Sequence, residues 1–289
     1  MNLRQIVVAA DESDAGRQAV RSGMDLASRA SAKVTVMRTV PVPAMPVFVG
    51  VRGGSEGCEI PGEMEEHERL QRWLEADVLP PEARDGVETA VAFGLAGVEI
   101  CRFAEARPAD LLMLGRKPRS QMTRLLLGDT ADAVARRSRL PCLFVPPGTG
   151  PIRRLLVALD GSERGLAVLR TACGVARAIG ASVGVVTVEQ EPAGEPAHLA
   201  CELPVERSAR LTSQVRLMLS RECPDGADAV IDVRRGPIVE QILRALEHSA
   251  ADALVVGYHR GGPPGVIEAG SIARHLAHRA PCAVMTVPL

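Results

Sequence analysis

RQIVVAAD (residues 4–11) and RRLLVALD (residues 153–160) are two copies of one sequence pattern. Each copy is an apolar run of strand length that ends in an acid, Asp11 or Asp160. The triplets that follow, ESD and GSE, open amphipathic segments, and this order predicts a strand, a turn and a helix in both places. A pattern that occurs twice in 289 residues indicates a duplicated domain.

Two further pairs of segments extend the duplication over the chain. PADLLMLGRKP matches AADALVVGYHR, which aligns Gly115 with Gly257, and LPCLFVP matches APCAVMTVP near the end of each copy. Between the copies, PPGTGP (Pro146–Pro151) has the Pro and Gly content of a linker. We therefore expect two domains, residues 1–147 and residues 152–289.

Apolar and amphipathic stretches alternate within each copy, in the order strand, helix, strand, helix, strand, helix, strand, helix, strand. Such alternation indicates βαβ units and a parallel sheet that helices cover on both faces. We therefore predict an α/β fold of two tandem, open, five-stranded parallel sheets of the Rossmann-like type.

Two of the predicted helices carry an apolar stripe that would face a sheet. In the helix before the third strand, the stripe consists of Met64, Leu70, Trp73, Leu74 and Val78. In the helix after Asp160, it consists of Leu166, Leu169, Cys173, Ala176 and Ile179. We interpret Cys173 as a packing residue, because a free cysteine behaves as a small hydrophobe.

Charge and composition exclude several classes of function. Lys and Arg number 34 and Asp and Glu 35, so a net charge of -1 gives no overall basis for binding nucleic acid or an anionic membrane. Aromatic residues make up 2% of the chain, too few for the stacking platforms of single-strand binders. The seven cysteines form no CxxC pair, the N-terminal segment lacks signal-peptide features, and the apolar runs are too short to span a bilayer. We therefore expect a cytoplasmic protein with reduced thiols.

The topology predicts where a ligand would bind. In an open parallel sheet, ligands bind beyond the carboxyl ends of the strands, where the winding direction reverses. If it reverses after three strands, the first and fourth strands are neighbours, which brings Asp11 close to Gly115 and Asp160 close to Gly257. A carboxylate there can accept a hydrogen bond from an exocyclic amine, and glycine lets backbone amides approach a phosphate.

The helix after the fourth strand should direct its positive N-terminal end into the same crevice. The two copies of this helix are predicted to begin at Gly128, Asp129 and Thr130 and at Gly270 and Ser271. An acid or a glycine after a strand is also common as a helix cap or a turn residue. The presence of the same set in both halves favours a binding site.

Several of these segments are similar to segments of universal stress protein domains. They are VALDGS, ALVVGYHR and AGSIARHLAHRAPCAV in the second half, and VAADES, ADLLMLGRKP and LLLGDTADAVARRSRLPC in the first. The resemblance therefore covers essentially the whole chain, and it implies an adenine nucleotide alpha hydrolase-like fold with ATP or another adenine nucleotide as ligand, with or without Mg²⁺. In this family, a G-x2-G-x9-G-[ST] motif after the fourth strand holds the phosphates, and the acid after the first strand faces the adenine.

The second half keeps this motif with one departure. Gly257, Gly270 and Ser271 occupy the expected places, whereas Arg260 stands where the second glycine is expected. An arginine there could clash with a phosphate or bind one. By analogy with the family, Val188, late in the second strand, would line the adenine slot.

The first half departs further from the motif. Gly115 and Gly128 remain, but Pro118 replaces the second glycine and Asp129 replaces the Ser or Thr. An acid at a helix N-terminus caps the free amides and repels a phosphate. Thr39 is the first-half counterpart of the adenine-slot position. We interpret the basic residues of this loop as a solvated face rather than a polyphosphate clamp: Arg116, Lys117, Arg119 and Arg124.

Three functions are compatible with this sequence. The first is a stress-associated regulatory protein that binds an adenine nucleotide, chiefly in the second half, and acts by conformational coupling rather than turnover. The second is an interaction or scaffold module whose nucleotide sites have both decayed. A weak ATP hydrolase ranks third, because no base or Mg²⁺-binding acid pair is visible beyond the adenine-side acid.

We expect no metal site, because His275 and His278 have no third ligand nearby in the sequence. The final strands of the two halves should lie at sheet edges and pair with each other across a pseudo-two-fold axis, as single domains of the resembled family do when they dimerise. A homo-oligomer would then use a different surface.

Overall fold

The structure, a computed structural model, describes residues 2–41, 62–117, 129–189, 204–224, 229–258 and 271–289. Within these residues each half has five strands and four α-helices in the alternating order that the sequence predicts. The strands of the first half are β1 (Gln5–Ala9), β2 (Lys33–Val40), β3 (Val87–Phe93), β4 (Leu111–Gly115) and β5 (Cys142–Val145). Its helices are α1 (Asp14–Ala30), α2 (Glu63–Trp73), α3 (Ala96–Ala106) and α4 (Asp129–Arg137).

The second half repeats this arrangement. Its strands are β6 (Arg154–Leu159), β7 (Ser182–Glu189), β8 (Ile231–Arg235), β9 (Ala253–Tyr258) and β10 (Ala283–Pro288). Its helices are α5 (Glu163–Ile179), α6 (Pro204–Glu222), α7 (Ile238–Ser249) and α8 (Ser271–Arg279). In the first half a π-helical turn, Leu74–Val78, directly follows α2, and a 3₁₀ segment, Pro81–Gly86, precedes β3.

The described strands form one sheet in the order β3-β2-β1-β4-β5-β10-β9-β6-β7-β8. Neighbouring strands within each half are parallel, which confirms the predicted α/β class. β5 and β10 are antiparallel, with Val284 opposite Phe144 and Thr286 opposite Cys142. The two halves are therefore joined edge to edge, and each covers a strand edge of the other that would otherwise be open to a second chain.

Serine caps begin the first helix of each half. Ser13 has extended backbone, and its hydroxyl accepts a hydrogen bond from the Gly16 amide at 3.1 Å. Ser162 does the same for the Gly165 amide at 3.4 Å. These caps lie in the ESD and GSE triplets, so the predicted starts of both helices are confirmed.

The apolar cores lie on the two faces of the sheet, and each contains residues from both halves. One core includes Val8 and Val157 with side chains of α1 and α5, and the other includes Val7 and Leu156 with side chains of α3 and α7. Helices therefore cover both faces, as the buried strands require.

The predicted apolar stripe of α2 is correct except at its first member. Leu70, Trp73, Leu74 and Val78 are buried, whereas Met64 is 78% exposed. The prediction for Met64 was wrong because α2 packs on the sheet only through its C-terminal part, and its first turn lies in solvent. A periodic pattern shows which side of a helix is apolar, but it does not show where along the helix contact with the sheet begins.

The stripe of α5 matches the prediction more closely. Leu169, Cys173, Ala176 and Ile179 are buried, and Leu166 is partly buried against the same core. Burial is the largest cause that raises the pKa of the Cys173 thiol, and the neighbouring Cys223 thiol raises it further. A protonated, buried thiol of this kind is a packing group rather than a nucleophile.

Candidate functional site

The winding of each half-sheet reverses beside its first strand. β1 lies between β2 and β4, so that Ala9 is opposite both Met37 and Leu114. β6 lies between β7 and β9 in the same way. The carboxyl ends of the first and fourth strands are therefore neighbours in both halves, as the topological argument predicts.

A cleft of about 320 Å³ opens at this point in the first half. Buried side chains of Met37, Ile100 and Leu114 line its apolar part. The polar residues that line it include Asp11, Thr39, Lys117 and Thr130. Gly115 lines it too, so the structure brings four residues predicted from the sequence, Asp11, Thr39, Gly115 and Thr130, to one cleft. Its volume lies at the lower end of the range for small-molecule pockets.

The carboxylate of Asp11 organises the turn between β1 and α1. Its Oδ1 accepts hydrogen bonds from the Ser13 amide at 3.2 Å and from the Ser13 hydroxyl. Its Oδ2 has no hydrogen bond to any residue in the part of the chain that the structure describes. Ser13, rather than Asp11, caps α1. Asp11 is exposed, so its second carboxylate oxygen can accept a hydrogen bond from a ligand.

The equivalent turn in the second half has a different backbone. Asp160 Oδ1 accepts from the Ser162 amide at 3.0 Å, and the residue between them, Gly161, has φ of +74°. Glu12 holds that place in the first half and does not adopt positive φ. Glycine reaches this conformation without strain, so the two halves of the duplication enter their first helices along different paths.

The first-half turn packs tightly against the helix that it precedes. A Cβ on Gly16 would lie 2.1 Å from the Asp11 carbonyl oxygen and 2.7 Å from Asp11 Oδ1. A Cβ on Gly165 would come no closer than 3.4 Å to any atom, here Asp160 Oδ1. Sequence reasoning missed Gly16. The pattern D-x-S-x-x-G, which both halves contain, is the signal that could have identified it.

The glycines at or near the ends of the fourth strands, Gly115 and Gly257, have packing roles of their own. A Cβ on Gly115 would lie 2.4 Å from the backbone carbonyl carbon and oxygen of Ala15. A Cβ on Gly257 would lie 2.6 Å from Leu289 Cδ1 and 3.0 Å from Val168 Cγ2. A backbone neighbour yields less readily than side-chain ends, so Gly115 is the more strictly required of the two.

Part of the predicted phosphate side lies beyond the described residues. The residues concerned are Gly128, Arg260 and Gly270, together with Pro118, Arg119, Arg124 and His259. The helices themselves begin where predicted, α4 at Asp129 with Thr130 as its second residue, and α8 at Ser271.

The predicted adenine-slot residue of the second half, Val188, is half-buried near the end of β7. The next residue, Glu189, is buried and forms ion pairs with Arg207 of α6 at 3.0 Å and with Arg235 of β8 at 2.9 Å. A buried carboxylate needs such partners, and here they fix α6 to the carboxyl ends of two strands. Sequence reasoning did not identify this network, because its members are far apart in the chain.

A charge network with the same effect lies beside the first-half cleft. Glu12 pairs with Arg38 at 2.7 Å and with Arg69 at 2.9 Å, and Arg38 also approaches Glu66 at 3.4 Å. The hydrogen bond from Arg38, followed by that from Arg69, lowers the pKa of Glu12. Arg38 lines the cleft, so these ion pairs hold its guanidinium beside the cleft. They also hold α2 near the turn after β1.

The basic loop after β4 does not behave as a uniform solvated face. Lys117 is exposed and lines the cleft, whereas Arg116 is only 5% exposed. The Arg116 guanidinium donates to the carbonyl oxygens of Ala280 and Cys282, both at 2.9 Å, and of His278 at 3.4 Å. The solvated-face interpretation was therefore wrong for Arg116, because these carbonyls belong to the other half of the chain and sequence spacing could not place them nearby.

His278, at the C-terminal end of α8, has a pKa below its ordinary value. Burial is the largest cause, and the charges of Arg274, His275 and Arg116 also lower the pKa. Asp132, on α4 of the first half, opposes them. The imidazole is therefore a neutral group at neutral pH, in a contact region between the two halves.

Three thiols of the described residues lack the character of reactive groups. Burial raises the pKa of Cys101 and Cys282 to about 11 and that of Cys142 to about 12, so these thiols stay protonated. No cluster of three or more His, Cys, Asp or Glu residues suited to a metal ion occurs among them. Within the same residues, no helix has the length and hydropathy of a membrane span.

The universal stress protein family matches this chain twice, at residues 2–146 and at residues 151–288. A universal stress protein of Methanocaldococcus jannaschii is 28% identical over 143 residues, which cover 49% of this chain and 81% of that protein. A solved universal stress protein from Archaeoglobus fulgidus has a TM-score of 0.69 at 17% identity, over 100% of this chain and 99% of that chain. A functionally unknown protein from Pseudomonas aeruginosa has a TM-score of 0.65 at 15% identity, over 99% and 92% of the two chains. These structures share the fold, and the double match shows that the chain belongs to the universal stress protein family, with two family domains in tandem.

Proposed function

We propose that this protein is a stress-associated regulatory protein that binds an adenine nucleotide, with ATP as the expected ligand. The second half is the stronger site, and the protein acts by conformational coupling rather than by catalysis. The observation that supports binding most directly is the convergence at the switch point. An acid with one carboxylate oxygen that no described residue hydrogen-bonds, a glycine in close backbone contact and the beginning of a helix meet there, around a cleft in the first half.

The acid accounts for a preference for adenine. Adenine carries an exocyclic amine where guanine carries a carbonyl oxygen. A carboxylate can accept from the amine, whereas it repels the carbonyl. Asp160 and Asp11 each hold one oxygen in the turn through a serine amide, which fixes the direction of the carboxylate.

The ranking of the two halves rests on the phosphate side. In the second half α8 begins at Ser271, which follows Gly270 in the sequence, and a hydroxyl at a helix N-terminus suits an anion. The first half has Asp129 at the start of α4, and its negative charge opposes a phosphate. Lys117 partly compensates, because it supplies a cation to the first cleft.

A scaffold function with decayed nucleotide sites is the second candidate. The observation that favours it is the use of Arg116 in a contact between the halves, which removes one cation from the first phosphate loop. Pro118 and Arg260, at positions where the family has glycine, point the same way.

The experiment that separates the two candidates is analysis of the protein purified without added nucleotide. The protein is denatured, and the released small molecules are separated by chromatography and compared with adenine nucleotide standards. We expect adenine nucleotide to be released, in smaller amount from an Asp160→Ala variant. If no nucleotide is released and none binds on titration with millimolar ATP, the scaffold function stands.

A further inference from the structure

One buried arginine connects the first half to a helix of the second. Arg116 directly follows β4, and its amide donates to the Val145 carbonyl of β5 at 2.7 Å. Its side chain then crosses to the second half, where it donates to Ala280 and Cys282. It thereby extends the contact between the halves beyond the pairing of β5 and β10.

The acceptors are carbonyls at and just beyond the C-terminal end of α8. Carbonyls at such an end have no partner within the helix, and the helix dipole places partial negative charge there. A buried guanidinium donates hydrogen bonds to these carbonyls, and its positive charge is attracted to the partial negative charge of the helix end. Charge-assisted hydrogen bonds of this kind are stronger than those between neutral groups.

The two halves differ in which group donates a hydrogen bond to an equivalent backbone carbonyl. Leu140 and Ala280 are equivalent, because each precedes a Pro-Cys pair that leads into the final strand. The Leu140 carbonyl accepts from the hydroxyl of Ser138 in its own half at 3.0 Å. The Ala280 carbonyl instead accepts from Arg116 of the other half. The second half therefore depends on the first for this helix end, whereas the first half is self-sufficient at the equivalent carbonyl.

The contact also joins an element of each candidate site. Gly115 and Lys117, on either side of Arg116, line the first-half cleft. The helix held by Arg116 begins at Ser271, the residue expected to receive phosphate in the second half. α8 is a short helix of nine residues, so a displacement of its C-terminal end moves its N-terminal end as well.

We propose that Arg116 is a positioning residue for the second site, an interdomain clasp that holds α8 where nucleotide binding requires its N-terminus. The nucleotide part of this proposal rests on the proposed function. The clasp itself does not, because it concerns a contact that is present without ligand.

The first test measures hydrogen exchange of the α8 amides in the ligand-free protein. Arg116→Gln removes the charge and shortens the side chain, and we expect exchange in α8 to become about tenfold faster or more, as loss of charged hydrogen bonds predicts. Arg116→Lys keeps the charge and should restore part of the protection. The control is Arg102→Gln, since Arg102 is an exposed arginine of α3 that pairs with Glu99 of the same helix. Equal exchange in Arg116→Gln and Arg102→Gln would overturn the clasp.

The second test measures ATP affinity of the same variants by titration calorimetry. We expect the second site of Arg116→Gln to bind ATP at least about fivefold more weakly, with Arg116→Lys intermediate and Arg102→Gln unchanged. Faster exchange in α8 with unchanged affinity would overturn the positioning role. If the unsubstituted protein binds no ATP, the proposed function and the positioning role both fail, and hydrogen exchange alone still decides whether the clasp exists.

Discussion

The same substitution at equivalent positions of the two halves should have opposite effects. Gly16 and Gly165 are both the third residue after the serine cap of their helices. At Gly16 a Cβ would lie 2.1 Å from the Asp11 carbonyl oxygen, a backbone atom that cannot move without displacing the turn. At Gly165 the nearest atom would be 3.4 Å away, which is ordinary van der Waals contact.

The expected magnitudes follow from these distances. Overpacking a well-packed site costs about 1–3 kcal/mol, and a backbone clash puts Gly16→Ala near the upper end. Replacing a helical glycine by alanine stabilises a helix by up to about 1 kcal/mol, which is the expected effect of Gly165→Ala. The two variants should therefore differ by about 3–4 kcal/mol in the free energy of unfolding.

Urea denaturation monitored by circular dichroism measures this difference directly. Each variant is compared with the unsubstituted protein, and the midpoint and slope of the transition are both recorded. The reasoning is that the first turn, which contains Glu12, lies against its helix, whereas the positive φ of Gly161 directs the second turn away from its helix. Equal free energies of unfolding for Gly16→Ala and Gly165→Ala would refute it.

Three other outcomes are expected. Asp129→Ser should strengthen phosphate binding in the first half, seen as a rise in the stoichiometry or affinity for ATP, because it removes an anion from the first turn of α4; an unchanged titration would assign the weakness to another residue. Leu70→Ala should lower the free energy of unfolding by about 2–5 kcal/mol and Met64→Ala by no more than about 0.5 kcal/mol, because the first side chain is buried and the second exposed. The folded protein binds a proton at His278 less tightly than the unfolded chain does. The stability that the neutral His278 contributes should therefore be fully present above a pH of about 6.5 and decline as the pH falls below that value. His278→Asn should flatten this part of the stability profile, and an unaltered profile would contradict the assignment.

The fold could be predicted from the sequence because its signals are local. Most strands are apolar runs, the first helix of each half begins at a serine cap, and the duplication supplies these signals twice. The neighbouring positions of the first and fourth strands follow from the general behaviour of doubly wound sheets. Met64 was misassigned because periodicity gives the direction of a helix face and not its extent.

The site was predicted in part, and the gaps have a physical origin. Asp11, Gly115 and Thr130 could be placed together because each lies at or next to the end of an element at the same sheet edge. Arg116 and Glu189 could not, because their partners come from distant parts of the chain and depend on how elements pack. A charged residue in a loop is more often solvated, so its burial becomes visible only with the fold.

The most direct test of the central claim is the choice between ATP and GTP. Titration calorimetry is carried out with both nucleotides on the unsubstituted protein and on Asp160→Asn and Asp11→Asn, which keep the shape of the side chain and add a donor. We expect the unsubstituted protein to bind ATP at least about tenfold more tightly than GTP, as a single well-placed contact to a base edge allows. Asp160→Asn should lose most of that preference and Asp11→Asn much less. The same ratio of ATP to GTP affinity in the unsubstituted protein and in Asp160→Asn would contradict an adenine site at the switch point of the second half.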